Sequence, residues 1–254
     1  MKIVIITQDE PFYLADNLRY LIKILPKHSK IVGCVVSKVS PFGKKETFLE
    51  KTKKTYNIFG LNFFIHYSLK FIHSKLYKRN QIDSALAENN ILKIILDKPI
   101  NDEESVKIIK YSNPDLLISI LGNQIFKESI INLAPEGCLN LHTSLLPKYR
   151  GLMPTFWVMK YDEKYTGVSV FFVDEGIDSG AIVVQEKVEI GNRTQEELIK
   201  YTKKIGMEAI AKAVDLIEKN QVKLIENNTA DKSYFSFPEN KDVVYFLSKG
   251  KRFF

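Results

Sequence analysis

The sequence predicts an α/β fold in which a mostly parallel central sheet is flanked by helices. Apolar runs of strand length alternate with amphipathic stretches from the first residues onward, which is the pattern of βαβ units. The chain has 254 residues, and 45% of them are hydrophobic. A chain of this length and composition can bury one large core, so we expect a single main domain.

The first βαβ unit is predicted over residues 2–37. Residues 2–7 and 30–37 have the continuous apolar pattern of buried strands, and residues 11–25 between them carry leucine and isoleucine at helical spacing. The turn after the first strand, Thr7-Gln8-Asp9-Glu10, contains no glycine. A glycine-rich cradle for a dinucleotide or a phosphate is therefore disfavoured at this turn.

A basic and aromatic segment at residues 40–80 interrupts this alternation. We predict a pair of helices packed on the sheet edge, with a basic helix lying on a membrane surface as the alternative. Further strands are predicted at residues 91–96, 115–121, 138–142, 165–173 and 181–189, and further helices at 103–110, 153–161 and 195–219. Residues 122–126 are predicted to turn the chain into another helix that ends near residue 133. The expected organisation is a main domain over residues 1–220 that contains this helical insertion, followed by a short C-terminal extension over 221–254.

The net charge of +7 is concentrated within residues 44–54 and 70–79. A solvated basic surface is one interpretation, and attraction to an anionic substrate, nucleic acid or membrane is the other. The sequence contains no apolar run long enough to cross a membrane and no signal-peptide pattern at its start, so we expect a cytoplasmic protein. Cys34 and Cys138 both lie in apolar runs. We therefore expect neither a disulfide framework nor a zinc site.

Two polar side chains share one face of the predicted strand at residues 138–142. Asn140 and His142 are two residues apart, and side chains at this spacing point to the same side of a strand, whereas Leu139 and Leu141 point to the other side. An amide donor beside a titratable imidazole is what acyl transfer to an amine requires. Taken alone this is a weak motif, because a single strand histidine is more often structural.

Three blocks that follow in order strengthen this interpretation. Residues 140–151 read Asn-Leu-His-Thr-Ser-Leu-Leu-Pro-Lys-Tyr-Arg-Gly, residues 166–170 read Thr-Gly-Val-Ser-Val, and residues 174–182 read Asp-Glu-Gly-Ile-Asp-Ser-Gly-Ala-Ile. Together they closely resemble the folate-dependent formyltransferases, a family with a Rossmann-like fold. The family includes glycinamide ribonucleotide, methionyl-tRNA and sugar N-formyltransferases. The resemblance covers residues 115–210 well and the opening strands more loosely, and it implies that residues 1–220 form the catalytic domain.

The resemblance implies a catalytic set of Asn140, His142 and Asp178, with N10-formyltetrahydrofolate as the formyl donor. Asn140 would offer its amide to the formyl oxygen as negative charge develops there. His142 would hydrogen-bond that oxygen or move a proton, and Asp178 would orient His142 and favour its protonated form. The chemistry requires no metal.

The resemblance also implies where the pterin of the donor would lie. The residues that would line its pocket are Gln124, Ile125, Phe126, Asp174, Gly176 and Ile177. Glycines at 176 and 180 would let the backbone turn and approach a flat ring. The spacing Asp-x-Gly-x-Asp-x-Gly is superficially like a calcium loop, but the twelfth position is Gln185 rather than a glutamate.

The acceptor amine is less constrained by the sequence. Thr7, Gln8, Arg150 and Gly151 are candidate substrate-binding residues. A nucleotide-linked amino sugar is the favoured acceptor, because the basic residues suit a diphosphate and because Tyr234, Phe235 and Phe237 could stack on a base or cover the sheet edge.

Two other acceptors fit the resemblance less well. The first turn lacks the glycine-rich loop of glycinamide ribonucleotide enzymes. About 35 residues follow the long helix, fewer than the C-terminal barrel with which methionyl-tRNA enzymes grip tRNA, so nucleic acid is disfavoured as a partner. A methionyl-tRNA or other small-amine formyltransferase, a hydrolase acting on the formyl donor and a binding module without catalysis stay open as alternatives. The aromatic tail, if exposed, favours a homodimer.

Overall fold

The computed structural model describes residues 1–37, 47–77, 81–122, 124–227 and 230–254. The elements in chain order are β1 (Lys2–Gln8), α1 (Leu14–Ile24), β2 (Lys30–Ser37), α2 (Phe48–Leu76), α3 (Ile82–Glu88), β3 (Leu92–Ile94), α4 (Glu103–Tyr111), β4 (Leu116–Ile120), α5 (Glu128–Ile131), β5 (Cys138–His142), β6 (Arg150–Gly151), α6 (Pro154–Lys160), β7 (Tyr165–Phe172), β8 (Ile182–Glu189), α7 (Gln195–Glu218), β9 (Tyr234–Phe235) and α8 (Asn240–Ser248).

Seven strands form the central sheet in the order β3-β2-β1-β4-β5-β7-β8. Strands β3, β2, β1, β4 and β5 are parallel, and β7 and β8 continue the sheet as an antiparallel hairpin. The predicted α/β fold with a mostly parallel sheet is therefore confirmed. The chain runs outward from β1 to β3 and then returns to place β4 on the other side of β1. Such a reversal opens a crevice at the carboxyl ends of the two strands.

The sheet is buried on both faces, as continuous apolar strands require. On one face, Leu18 of α1 and Ile210 of α7 pack with strand residues such as Ile5 and Ile118. On the other face, helices α4 and α5 cover the strand residues whose side chains point to the opposite side of the sheet. All five residues of β4 are buried. Helices α1 and α7 thereby lie side by side over the end of the sheet at which the crevice opens.

The element α2 consists of two helical segments that meet at Gly60, where φ is 81° and ψ is 178°, so the predicted pair of helices is confirmed. Its inner face packs over the turn between β1 and α1: Ser74 Oγ donates to the carbonyl of Pro11 at 2.7 Å and Lys70 Nζ donates to Tyr13 Oη at 2.6 Å. The helix therefore lies across the loops beside the crevice, and the predicted position on the sheet edge is wrong. The start of the predicted insertion, residues 40–46, and its end, residues 78–80, lie outside the described residues.

The C-terminal segment contains two elements that the sequence pattern did not indicate. Strand β9 pairs in parallel with β6, and helix α8 packs on α6. Phe235 stacks on Tyr149 and Trp157 with ring centroids 5.4 Å and 4.7 Å away, and Phe237 meets Phe59 edge to face. These aromatic side chains cover the core, and Tyr234 is half exposed. A strand of two residues is too short to show a clear period.

The helix predicted between the turn at residues 122–126 and about residue 133 is present as α5, which is shorter than expected. Side chains from the preceding loop hold residues 124–127 in a non-helical conformation: Asn101 Nδ2 donates to the carbonyl of Ile125 at 2.8 Å, and Asn101 Oδ1 accepts from the backbone N–H of Lys127 at 2.9 Å. The partners are 24 and 26 residues apart along the chain, so these bonds are tertiary contacts. Phe126 is thereby turned into the interior. None of the described helices is long and apolar enough to span a bilayer.

Candidate active site

A cavity of about 280 Å³ opens at the carboxyl ends of β1, β4 and β5. Asn140 and His142 reach it from β5, and Asp178 reaches it from the loop between β7 and β8. The three side chains implied by the family resemblance therefore meet in one cavity at the crevice of the sheet. The Leu146–Pro147 peptide bond in the neighbouring loop is cis.

The two ring nitrogens of His142 have different surroundings. Nε2 lies 2.7 Å from the backbone carbonyl of Tyr149, and Nδ1 lies 3.6 Å from Oδ2 of Asp178. A carbonyl oxygen only accepts hydrogen bonds, so Nε2 carries a hydrogen. Nδ1 is then the atom that can take up or release a proton, and it faces the carboxylate of Asp178. The ring is 7% exposed, which fixes its orientation.

The loop that carries Asp178 is fastened from two sides. Asp178 Oδ2 accepts from the backbone N–H of Gly151 at 2.9 Å. Asn227 Nδ2 donates to the carbonyl of Asp178 at 2.9 Å and to the carbonyl of Gly180 at 3.0 Å, while its Oδ1 accepts from the Arg150 guanidinium at 3.0 Å. A Cβ on Gly180 would collide with the carbonyl oxygen of Phe172, so this position accepts glycine alone. The carboxylate of Asp178 is therefore held in place by packing and by hydrogen bonds.

The amide of Asn140 is available for a ligand. It lines the cavity and forms no hydrogen bond within the described part of the chain, and its Oδ1 is buried without a partner. An unpaired buried polar group is costly, and such groups in native structures need an explanation. A bound molecule that accepts from the amide nitrogen, or donates to the oxygen, would supply the missing partner.

Bulky residues with positive φ surround the cavity. Leu121, Tyr149 and Met153 have φ values of 60°, 59° and 52°, a region that glycine, asparagine and aspartate normally occupy. Leu121 and Met153 line the cavity, and the carbonyl of Tyr149 is the partner of His142. The Leu121 carbonyl accepts from Gln8 Nε2 at 2.6 Å. Strained backbone of this kind clusters at functional sites, where the surrounding structure enforces it.

The predicted pterin-pocket residues lie together. All six of them line the cavity: Gln124, Ile125, Phe126, Asp174, Gly176 and Ile177. Phe126 is buried, whereas Ile125 and Ile177 remain partly exposed at the rim. Asp174 Oδ1 accepts from Ser179 Oγ at 2.6 Å and from the backbone N–H of Gly176 at 3.1 Å, which organises the loop. An apolar slot with a few fixed polar groups suits a flat heterocycle such as a pterin.

The predicted acceptor-binding residues divide into two pairs. Gln8 and Gly151 line the cavity, but Thr7 and Arg150 do not. Thr7 is 2% exposed because side chains alternate along β1 and its side chain points away from the Gln8 side. Arg150 is 7% exposed and lies behind the loop, where it contacts Asn227. The structure therefore does not bring Thr7 and Arg150 to the cavity with the other two candidates.

Several lining residues were not identified from the sequence. They come from α1, from α7 and from the loop before α6: Leu14, Asn17, Lys203, Met207, Met153 and Pro154. Lys203 is a lysine on the inner stripe of an otherwise apolar helix face, one turn before the buried Met207, and that position is the signal that could have revealed it. Burial lowers the pKa of Lys203, an effect that nearby Glu10 opposes and Lys70 reinforces.

The N-terminus of α1 is occupied by the chain's own carboxylate. Glu10 Oε2 accepts from the backbone N–H groups of Tyr13 at 2.9 Å and Leu14 at 3.0 Å, and Oε1 accepts from Phe12 at 3.2 Å. In open α/β sheets this helix end is a common site for a ligand phosphate. Here Glu10 already satisfies those donors and repels a second anion. Among the described residues, no group of three or more histidine, cysteine or acidic side chains could hold a metal ion.

Comparisons with known proteins give the family and the fold of this chain. The model of the formyl transferase family matches residues 1–214. The methionyl-tRNA formyltransferase of Alkaliphilus oremlandii is 35% identical over 153 residues, which are 60% of this chain and 49% of that protein. The chain therefore spans about half the length of the curated relatives it matches.

Solved structures with the same fold cover more of the chain at lower identity. An N-formyltransferase from Helicobacter canadensis, solved with folinic acid and dTDP-3-aminofucose, is 19% identical with a TM-score of 0.57, and the match covers 93% of this chain and 71% of that one. The phosphoribosylglycinamide formyltransferase of Anaplasma phagocytophilum is 17% identical with a TM-score of 0.64, and the match covers 94% of this chain and 99% of that one. Because its model matches most of the sequence, this chain belongs to the formyl transferase family.

Proposed function

We propose that the protein transfers a formyl group from N10-formyltetrahydrofolate to a primary amine, and that this amine belongs to a nucleotide-linked amino sugar. The observation that carries the proposal is the meeting of Asn140, His142 and Asp178 in one cavity. The cavity offers an unpaired amide, a histidine with one nitrogen free to exchange a proton, and a carboxylate facing that nitrogen. These groups are what formyl transfer to an amine requires.

Each side chain has a role that follows from its contacts. The bound folate supplies an activated formyl group on a nitrogen leaving group. Asn140 donates its amide N–H to the formyl oxygen as negative charge develops there during attack by the amine. His142 exchanges a proton at Nδ1, since its Nε2 hydrogen is committed to the Tyr149 carbonyl. Asp178 holds the imidazole in position and stabilises its charged form.

The choice of a sugar-nucleotide acceptor rests on the N-terminus of α1. Glu10 fills the N-terminus of α1, which opposes binding of a ribose phosphate at that helix end. The Helicobacter canadensis enzyme solved with dTDP-3-aminofucose shares the fold over 93% of this chain, as the Anaplasma phagocytophilum ribonucleotide enzyme does over 94%. The fold is thus compatible with a sugar-nucleotide acceptor, and Glu10 is the observation that favours it over a ribose phosphate.

Methionyl-tRNA is the second candidate acceptor. It is favoured by the 35% identity to the Alkaliphilus oremlandii enzyme, which is higher than the identity to the solved sugar or ribonucleotide enzymes. The two candidate acceptors contact different regions of the protein. A tRNA needs a broad basic surface, whereas a sugar nucleotide needs the cavity alone.

A formylation screen of the purified protein tests the proposal. Incubation with N10-formyltetrahydrofolate and dTDP-, UDP-, GDP- or CMP-linked amino sugars, beside methionyl-tRNA, should give formylated product with at least one sugar nucleotide. Asn140→Ala, His142→Ala and Asp178→Ala are the matched inactive variants. Turnover confined to methionyl-tRNA would reject the sugar acceptor. Formate release that needs no amine would identify a hydrolase, and equal rates for wild type and variants would indicate a binding module.

A further inference from the structure

Lys203 is a cation inside the cavity, and the ion pair that it makes with Glu10 is long, at 3.9 Å. Its side chain is 15% exposed and lines the cavity beside Met207, yet it forms no hydrogen bond to any described residue. A lysine ammonium has three donors. Burying it without acceptors is unfavourable, and lysines in such positions usually serve a ligand or a reaction.

The charged groups nearest to Lys203 are committed elsewhere. Glu10 Oε2 lies 3.9 Å from its Nζ, beyond hydrogen-bond distance, and is already accepting two backbone N–H groups at the start of α1. The ring of Tyr13 lies 5.3 Å from Nζ, and the Tyr13 hydroxyl accepts from Lys70 at 2.6 Å. Lys70 in turn is paired with Glu196 at 2.8 Å. Lys203 thus keeps its donors free for a molecule in the cavity.

Lys203 lies beside the turn between β1 and α1. Its Nζ is near Glu10 and the ring of Tyr13, whereas the proposed pterin pocket is built from residues 124–126 and 174–177. Among the described lining residues, Lys203 is the one lysine or arginine. An ammonium at this place repels an amino group and attracts an oxyanion.

We infer that Lys203 binds an oxyanion of the acceptor substrate, which in a nucleotide-linked amino sugar is a phosphate oxygen. This inference rests on the proposed function, since it concerns the acceptor of the same reaction. It also accounts for Glu10: with the helix N-terminus filled by a carboxylate, the phosphate is held by a side chain of α7 instead of by backbone N–H groups of α1. Lys203 then sets the distance between the anionic group of the acceptor and the amine that reaches Asn140 and His142.

Steady-state kinetics of Lys203→Met test this assignment. Methionine keeps the length and the packing of the side chain, so the variant should fold, which a thermal melt verifies. With a sugar-nucleotide acceptor we expect KM for the acceptor to rise about 10- to 100-fold, the value of one charged hydrogen bond. The kcat and the KM for the folate donor should stay within about twofold, and Lys203→Arg should recover part of the affinity. Lys204→Met, on the exposed side of the same helix, is the matched control. An unchanged acceptor KM, or a raised KM for the folate donor instead, would overturn the inference.

Calorimetric binding without turnover separates this inference from the proposed function. The probes are dTDP, UDP and GDP, each measured against its own nucleoside. Wild type and Lys204→Met should bind at least one diphosphate about tenfold more tightly than its nucleoside, and Lys203→Met should lose that preference. A wild type without such a preference, or a Lys203→Met variant that keeps it, contradicts the role of Lys203. If the protein prefers a diphosphate to its nucleoside through Lys203 but shows no formyl transfer, the proposed function is rejected and the anion site at Lys203 is retained.

Discussion

The imidazole Nδ1 of His142 lies 3.6 Å from Oδ2 of Asp178. The distance is slightly longer than a hydrogen bond, and the same carboxylate oxygen is held by the backbone N–H of Gly151 at 2.9 Å. The opposite nitrogen of the ring is held by the Tyr149 carbonyl. The pair is therefore positioned from both sides by backbone groups, which leaves the space beside Nδ1 as the place where a proton can move.

Asn140→Ala should impair catalysis without impairing folding. The variant removes a donor to the developing oxyanion, so kcat should fall by about 10²–10³. The Oδ1 atom has no partner to lose among the described residues, so the melting temperature should stay within a few degrees of the wild type. Asn62→Ala, an exposed position on α2, is the control. A wild-type kcat in Asn140→Ala would contradict the role of the amide.

Asp178→Asn should separate the effect of the negative charge at this position from the effect of the conformation of its loop. The asparagine oxygen can still accept from Gly151, so the loop should keep its conformation. The negative charge beside His142 is lost, and with it the stabilisation of the imidazolium. We expect kcat to fall by about 10² or more, with the urea midpoint nearly unchanged. If the variant kept full activity, Asp178 would act through its backbone contacts alone.

Asn227→Ala should loosen the loop that carries Asp178. Asn227 is 7% exposed and donates to the carbonyls of Asp178 and Gly180 while accepting from Arg150. The change leaves these buried groups unpaired, so the free energy of unfolding should fall by about 2–4 kcal/mol. Urea denaturation measures this loss. We also expect a lower kcat, because the carboxylate of Asp178 is no longer fixed. Stability and kcat both equal to those of Asn62→Ala would show that the loop does not depend on Asn227.

Glu196 should make stability depend on pH in acid. Burial alone would raise the pKa of this carboxyl, but hydrogen bonds from Lys70, Lys200 and His66 outweigh it and lower the pKa from 4.5 to about 2. A carboxyl whose pKa is lower in the folded state than in the unfolded state stabilises the fold when the pH is above its unfolded pKa. This stabilisation is lost as the pH falls through the folded pKa.

Glu196→Gln reports this pH dependence. Wild type should be more stable than the variant above about pH 5, and the difference should close as the pH falls from 4.5 towards 2. Denaturant melts at a series of pH values measure the difference, with the exposed Glu136→Gln as control. A difference that stays constant across this range would mean that the ion pairs of Glu196 do not contribute.

Local sequence determined the sheet and the centre of the site. Buried strands such as β4 carry unbroken apolar runs, which are visible in the sequence because both faces of the strand must avoid water. Asn140 and His142 share a face because strand geometry repeats every two residues. Asp178 was identified through the resemblance of the blocks at residues 140–151, 166–170 and 174–182 to a family, since no local pattern connects its loop with β5.

Tertiary structure decided what surrounds that centre. Lys203 enters the cavity because α7 crosses the sheet beside α1, and Arg150 turns inward because Asn227, far along the chain, offers it an acceptor. The hydrogen on Nε2 of His142 is assigned by a carbonyl that a left-handed Tyr149 presents. Contacts between residues so distant in the chain leave no periodic trace in the sequence, because they depend on how complete elements pack rather than on the spacing within any one of them.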